Sequence, residues 1–162
     1  MLLVNTLICL LLLIIGIQDY KDREVSLWVF IALGTMACLK IILYGFTAVY
    51  IEVLFNMVIL LIQMLLLYLY FNLIRKKNIV GMIGLGDIIF FAIIALSFSL
   101  VNFILFQILS LIVALVFSVF AQFKNKEFIP LAGIQAICLM LVVGLEMGLG
   151  TSLSYELVIM SY

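Results

Sequence analysis

The chain has 162 residues, of which 69% are hydrophobic and 10% charged. A soluble domain carries about 25% charged residues, so this composition excludes a water-soluble globule. Eight basic residues balance eight acidic residues. The chain therefore has no net charge that would attract nucleic acid, and we expect no nucleic-acid partner.

The residue types also limit the chemistry that the chain can perform. The sequence contains no histidine, and its three cysteines, Cys9, Cys38 and Cys138, are isolated in apolar stretches. A zinc site is therefore not expected. The absence of histidine excludes Ser-His-Asp and Cys-His nucleophiles. Asp and Glu are therefore the main candidates for acid/base catalysis. We expect no metal and no organic cofactor.

Apolar runs separated by charges predict an all-α, membrane-embedded bundle that forms a single domain over residues 1–162. The N-terminal run lacks a basic leader region and a small-residue cleavage site, so we expect it to be retained as the first helix. The uncharged stretch 79–123 is too long for one span and predicts a tight turn near Ser97, Ser99 and Asn102. Residues 151–162 fit an interfacial strip. The six predicted transmembrane helices cover, to within about four residues, 2–18, 27–45, 51–73, 80–97, 102–122 and 129–149.

The basic residues predict the orientation of these helices, because Lys and Arg near spans are retained in the cytoplasm. Loops two and four hold only Lys40 between them. The odd-numbered loops are therefore predicted to be cytoplasmic, with both termini outside. Asp19, at the end of helix one, and Asp87, at the start of helix four, then fall at the same cytoplasmic depth. The basic residues of loops one, three and five are Lys21, Arg23, Arg75, Lys76, Lys77, Lys124 and Lys126.

The two aspartates form the candidate catalytic pair. Asp87 ends the sequence Gly84-Leu85-Gly86-Asp87, in which two glycines leave room beside the carboxylate. An ionisable group near membrane depth is costly and marks a functional site, with Asp19 as its natural partner. Two adjacent carboxylates share a proton. The ionised member can then take a proton from water while the protonated member polarises a scissile carbonyl.

At these positions the chain resembles the type IV prepilin peptidases, membrane-embedded aspartic proteases of the GxGD type. The stretch 19–27 matches D-x-x-x-x-x-I-P-N, which begins with the family's first catalytic aspartate, and 84–87 matches the GxGD that holds the second. A weaker match is 128–133, similar to the family's I-P-F-G-P segment at the start of the last helix. The resemblance implies that Asp19 and Asp87 are catalytic. The predicted supporting residues are Gly84, Gly86, Pro130 and Gln135, which follows Pro130 by about one turn and is a candidate for lining the substrate groove.

The resemblance also implies a substrate and a location. The chain lacks the cysteine-rich cytoplasmic insertion that accompanies N-methylation in long bacterial enzymes, so it is similar to the minimal peptidases. In those relatives a prepilin-like protein loses a short basic leader after a glycine, just before a hydrophobic helix, at the cytoplasmic face of a bacterial-type inner membrane. The expected partners are this substrate and membrane lipids, and the sequence leaves the oligomeric state open.

Departures from the family pattern keep two alternatives open. Ser26 and Leu27 replace the motif's Pro-Asn, and Ile89 stands where GxGD-x-K has a lysine. One alternative is an inactive relative that only binds prepilin-like helices. The other is a small proton-coupled carrier that uses the same carboxylates. Asp22, three residues after Asp19, is the reserve candidate for the first aspartate.

Other polar residues inside the predicted spans are expected to be structural. Glu146 lies near the outer end of helix six, where a snorkelling or structural role is expected. Asn56, Gln63 and Gln107 are expected to form hydrogen bonds between helices. None of these residues is predicted to take part in catalysis.

Overall fold

The computed structural model describes residues 2–22, 24–44, 46–75, 84–122 and 131–149. This part of the chain is almost entirely helical and contains no strand, which confirms the all-α prediction. A π-helical segment, Tyr70–Arg75, continues the third helix. The predicted strip 151–162, Pro130 and the basic residues Arg23, Lys76, Lys77, Lys124 and Lys126 lie outside the described residues. The helices are α1 (Leu2–Lys21), α2 (Leu27–Tyr44), α3 (Phe46–Leu69), α4 (Leu85–Ser97), α5 (Leu100–Gln122) and α6 (Leu131–Leu149).

Several of these helices have the length and composition needed to cross a membrane. Four do so by length and hydropathy, over Leu2–Lys21, Tyr50–Leu69, Leu100–Phe117 and Ala132–Leu149. The apolar part of α2, Leu27–Leu43, is slightly shorter than these four spans. Helix α4, with 13 residues, is only about 20 Å long. Large apolar side chains cover the outer faces of the helices, as at Leu61, which is 69% exposed. These features are consistent with a multi-pass membrane protein.

Helix ends differ from the predicted ends for a physical reason. Helix α1 continues to Lys21, beyond the expected end at residue 18. The charges of Asp19 and Lys21 predict a helix end, but Lys21 is a cation in the last turn, where it is favourable, and the Asp19 carboxylate accepts a hydrogen bond from Gly133. A charge in this chain therefore marks the edge of an apolar run and not the end of a helix.

Five helices form a ring around the sixth. Helices α1, α2, α3, α5 and α6 each contact the next in that order, and α6 closes the ring by packing most extensively against α1. The central helix, α4, contacts α2, α3, α5 and α6. Its sequence is apolar on all sides, as expected for a surrounded helix. Its Phe90 and Ile94 are fully buried, and the Phe90 ring packs against that of Phe30 at a centroid distance of 6.3 Å.

The connection from α4 to α5 is the predicted tight turn. Only Phe98 and Ser99 separate the two helices. The buried side chain of Asn56 on α3 donates hydrogen bonds to the carbonyl oxygens of Ala95, at 3.0 Å, and Phe98, at 2.7 Å. These carbonyls end a helix and have no partner within it. The predicted interhelical role of Asn56 is confirmed.

Two further polar pairs join helices inside the bundle. Lys40 on α2 donates a 2.7 Å hydrogen bond to Glu146 on α6, and both side chains are buried. Snorkelling by Glu146 is therefore wrong, whereas a structural role is supported. Lys40 is a buried helix residue and not a loop residue, so loops two and four contain no basic residue. Gln107 on α5 donates to Gln63 on α3 at 3.4 Å, as predicted.

Candidate active site

Three helix ends meet at one edge of the bundle. Asp19 lies in the last turn of α1, Asp87 in the first turn of α4, and Ala132 and Gly133 in the first turn of α6. Asp19, Asp87 and Ala132 line one open cleft of about 460 Å³. Both aspartates are partly buried. The structure therefore brings together the two carboxylates that the sequence singled out, although 68 positions separate them.

Gly133 holds the Asp19 carboxylate through its backbone. Its amide N–H donates a 2.5 Å hydrogen bond to Asp19 Oδ2. The first amides of a helix have no partner within the helix, so a carboxylate is well suited to accept from them. A Cβ at Gly133 would lie 2.9 Å from Asp19 Oδ2 and 3.3 Å from Asp19 Cβ. The close approach of α6 to Asp19 thus requires a residue with no side chain at this position.

The neighbouring amide of α6 faces the second aspartate. The backbone N–H groups of Ala132 and Gly84 lie close enough to the Asp87 carboxylate to favour its charged form. Because Ala132 and Gly133 are adjacent in the sequence, the first turn of α6 faces both carboxylates. The two charges act on each other across the cleft. The arrangement thus places two carboxylates in one cleft, next to backbone amides and not to polar side chains.

Both glycines of the GxGD sequence line the cleft beside Asp87. Gly84 precedes α4 with φ −67° and ψ 140°, a conformation open to any residue. A Cβ there would lie 3.4 Å from Asp87 Oδ2. A Cβ at Gly86 would meet the Phe30 ring at 3.4 Å and 3.5 Å, which is close to ordinary contact. Gly86 therefore also accommodates an aromatic side chain of α2, and that it leaves room beside Asp87 stays a prediction.

The loop after α1 forms another wall of the cleft. Glu24 and Val25 line it. The Gln18 side chain accepts a 3.1 Å hydrogen bond from the backbone N–H of Ser26. The family motif has proline at this position, and proline has no N–H to donate. This departure from the motif therefore adds a bond that fixes the loop to α1.

The reserve candidate for the first aspartate lies apart from the cleft. Asp22 is exposed and is not among the residues that line the cleft, whereas Asp19 is. The backbone N–H of Asp22 donates to the carbonyl of Gln18 at 2.8 Å and continues the last turn of α1. The structure thus favours Asp19 as the partner of Asp87.

Of the two predicted supporting residues near the start of α6, the structure describes one. Gln135 is 1% exposed and does not line the cleft. Its Nε2 has no hydrogen-bond partner among the described residues. The expectation that it lines the groove is corrected, because it points into the bundle. Pro130 lies outside the described residues.

Sequence reasoning missed four contributors to the site. Gly133 and Ala132 act through backbone amides, and a backbone amide carries no signal in the residue type. Phe30 and Glu24 line the cleft because of where the fold places them. Glu24 stands inside the D-x-x-x-x-x-I-P-N match, so the motif itself was a signal for examining it.

Comparison with protein-family models, with curated proteins and with solved structures gave no match. Within the described residues, no group of three or more His, Cys, Asp or Glu side chains is placed to hold a metal ion. The chemistry of the cleft must therefore be argued from its own residues.

Proposed function

We propose that the protein is an aspartic endopeptidase of the membrane that removes the leader peptides of type IV prepilin-like proteins. Asp19 and Asp87 are its catalytic pair. The observation that carries the proposal is the convergence of these two residues on one cleft, where the Gly133 amide binds Asp19 and the Ala132 amide faces Asp87. Structural charges on helix ends have no need for a shared, open cleft.

The geometry suits hydrolysis of a peptide bond by an activated water. One carboxylate of the pair is ionised and removes a proton from the water, while the other, protonated, donates a hydrogen bond to the scissile carbonyl. The water oxygen bonds to the carbonyl carbon and gives a tetrahedral intermediate. The peptide C–N bond then breaks as the protonated carboxyl passes its proton to the leaving amine. The backbone hydrogen bond from Gly133 keeps the Asp19 carboxylate in position through these steps.

The site and the proposed membrane topology agree with each other. All six helices span the membrane in this proposal, with α4 shielded by the ring. The edge that holds Asp19 and Asp87 then faces the cytoplasm of a bacterial-type inner membrane, because loops one, three and five carry the basic residues. A leader that never crosses the membrane would meet the cleft on this side.

Charge in the cleft fits a basic leader. Asp19, Glu24 and Asp87 line it, and no basic residue is among its described lining residues. An acidic cleft attracts a cationic segment and repels an anionic one. Val25 and Phe30 add an apolar wall, which suits the start of the hydrophobic helix that follows the cleaved bond.

A proton-coupled carrier is less well supported. The buried Lys40–Glu146 pair is the feature that favours it, since charges at this depth often serve transport. The cavity that adjoins Lys40 measures about 20 Å³, which is room for about one water molecule. Among the described residues, this pair has no adjoining space for a solute.

Co-expression with a candidate prepilin tests the proposal. The native chain should shorten the prepilin by its leader, and Asp87→Asn should leave it at full length at equal membrane abundance. An uncleaved prepilin that co-purifies with the native chain would favour the inactive, prepilin-binding relative instead. Ile89, which packs against the hydrophobic core, would then be the first residue to replace with the family's lysine.

A further inference from the structure

A second groove lies on the outer face of the α1–α6 contact. It is lined by apolar residues of both helices and has a volume of about 520 Å³, within the range of small-molecule sites. Leu13 and Ile17 on α1 are 46% and 56% exposed at its edge. The groove is distinct from the catalytic cleft, since the two share no lining residue.

The groove changes from apolar to charged along its length. Leu12 and Leu13 begin it, and Tyr20 and Lys21 end it at the last turn of α1. These residues span about 14 Å along the helix axis. An aromatic residue and a lysine at the end of a membrane helix lie at the level of the lipid headgroups. The groove therefore has an apolar body in the hydrocarbon region and a cationic end at the headgroup region.

We infer that this groove binds an anionic phospholipid, with an acyl chain along α1 and α6 and the headgroup phosphate at Lys21. Charge complementarity selects the head, because a lysine attracts phosphate and a zwitterionic head offers less net attraction. The apolar walls select the chain. No carboxylate among the described residues forms an ion pair with Lys21, so its ammonium group is available to an external anion.

The structure favours a lipid over a substrate helix in this groove. Asp19 faces Gly133 across the α1–α6 contact, whereas the groove lies on the neighbouring face of α1. At Gly16 the two helices are in contact, since a Cβ there would lie at an ordinary van der Waals distance, 3.9 Å, from the Ile137 side chain. A helix in the groove would therefore be separated from the catalytic carboxylates by this contact. A bound acyl chain does not need to reach the catalytic carboxylates.

Native mass spectrometry of the full chain tests the inference directly. The protein is purified from micelles that contain equal amounts of phosphatidylglycerol and phosphatidylcholine, and the retained lipid is counted. The native chain should retain phosphatidylglycerol selectively. Lys21→Gln should lower this retention about fivefold, the contribution of one lysine near an anionic surface, and Lys21→Arg should preserve it. Leu13→Trp, which fills the groove, should lower the retention of both lipids.

Two matched variants serve as controls. Lys77→Gln removes the same charge elsewhere in the chain, and Leu61→Trp adds the same bulk on an apolar face of α3 that lines none of the described pockets. Both should retain phosphatidylglycerol as the native chain does. Equal losses in Lys77→Gln and Lys21→Gln would overturn the inference in favour of diffuse surface attraction.

Other occupants give different results, and each would overturn the inference. Unchanged lipid retention in Leu13→Trp together with loss of prepilin binding would assign the groove to the substrate helix. Unchanged lipid retention with a change from dimer to monomer would assign it to a second copy of the chain. Lys21 is exposed at a helix end, so Lys21→Gln should fold even if the tryptophan variant does not.

Discussion

The backbone amide of Gly133 donates a hydrogen bond to the Asp19 carboxylate, although 114 positions separate the two residues. The amide of the preceding residue, Ala132, faces Asp87 and favours its charged form. One helical turn thus positions both carboxylates. This relationship explains how a short chain without histidine or a metal-binding cluster among its described residues can hold two like charges at one cleft.

Gly133→Ala should abolish most cleavage. The added Cβ would lie 2.9 Å from Asp19 Oδ2, so either the carboxylate or α6 must shift. A displacement of about 1 Å in a catalytic group can cost about a hundredfold in rate. The measurement is cleavage of a prepilin peptide by the purified variant, alongside a thermal melt in detergent.

Gly144→Ala is the matched control on the same helix, because a Cβ there meets nothing within 4 Å. It should cleave as the native chain does and gain up to about 1 kcal/mol of stability from higher helix propensity. The cleavage rate of Gly86→Ala should lie between those of Gly133→Ala and Gly144→Ala, since the added Cβ meets the Phe30 ring at 3.4 Å. Equal activity of the Gly133→Ala and Gly144→Ala variants would contradict the proposed role of α6.

The buried pair between Lys40 and Glu146 should contribute to stability and not to catalysis. Lys40→Met leaves the Glu146 charge buried without its partner and should lower the free energy of unfolding by about 3–5 kcal/mol. The double variant Lys40→Met/Glu146→Leu should recover most of that loss. Thermal melts in detergent measure both effects.

Activity distinguishes this pair from a functional site. Glu146 lies about 20 Å further along α6 than Gly133 at 1.5 Å per residue, so the double variant should cleave prepilin normally below its melting temperature. Loss of cleavage by a well-folded double variant would show that the pair has a role beyond packing.

The sequence predicted the helices well because each apolar run is long and bounded by charges or by a turn. It also identified both aspartates, since charges are rare in such runs. It did not predict the pairing of Lys40 with Glu146, because 106 positions separate them and only the packing of α2 near α6 brings them together. The role of Gly133 was missed for a related reason: its contact uses a backbone amide, which every residue except proline has.

Glu24→Gln should weaken cleavage of substrates with basic leaders. Glu24 lines the cleft and is exposed, and an exposed charge pair is worth about 0.2–1 kcal/mol. We therefore expect a rise in KM of up to about fivefold with kcat unchanged. A peptide with a neutral leader is the control and should show no difference between the variant and the native chain. A fall in kcat for both peptides would instead place Glu24 in the chemical step.

Reporter fusions test the proposed topology. A reporter fused after Lys77 or Lys126 should be cytoplasmic, and one fused after Tyr162 should be outside, because basic loops are retained in the cytoplasm. The reverse pattern would place the cleft on the outer side. A leader that stays in the cytoplasm could then not reach Asp19 and Asp87.

The most direct test of the catalytic pair is a cleavage assay with purified protein and a synthetic prepilin peptide, followed by mass spectrometry. We expect Asp19→Asn and Asp87→Asn each to lower the cleavage rate by about a thousandfold and to leave the melting temperature unchanged. The exposed Asp22 provides the control, and Asp22→Asn should keep the native rate. Cleavage that survives in Asp87→Asn would show that Asp87 is not catalytic. Cleavage that is lost in Asp22→Asn and kept in Asp19→Asn would show that Asp22, and not Asp19, is its partner.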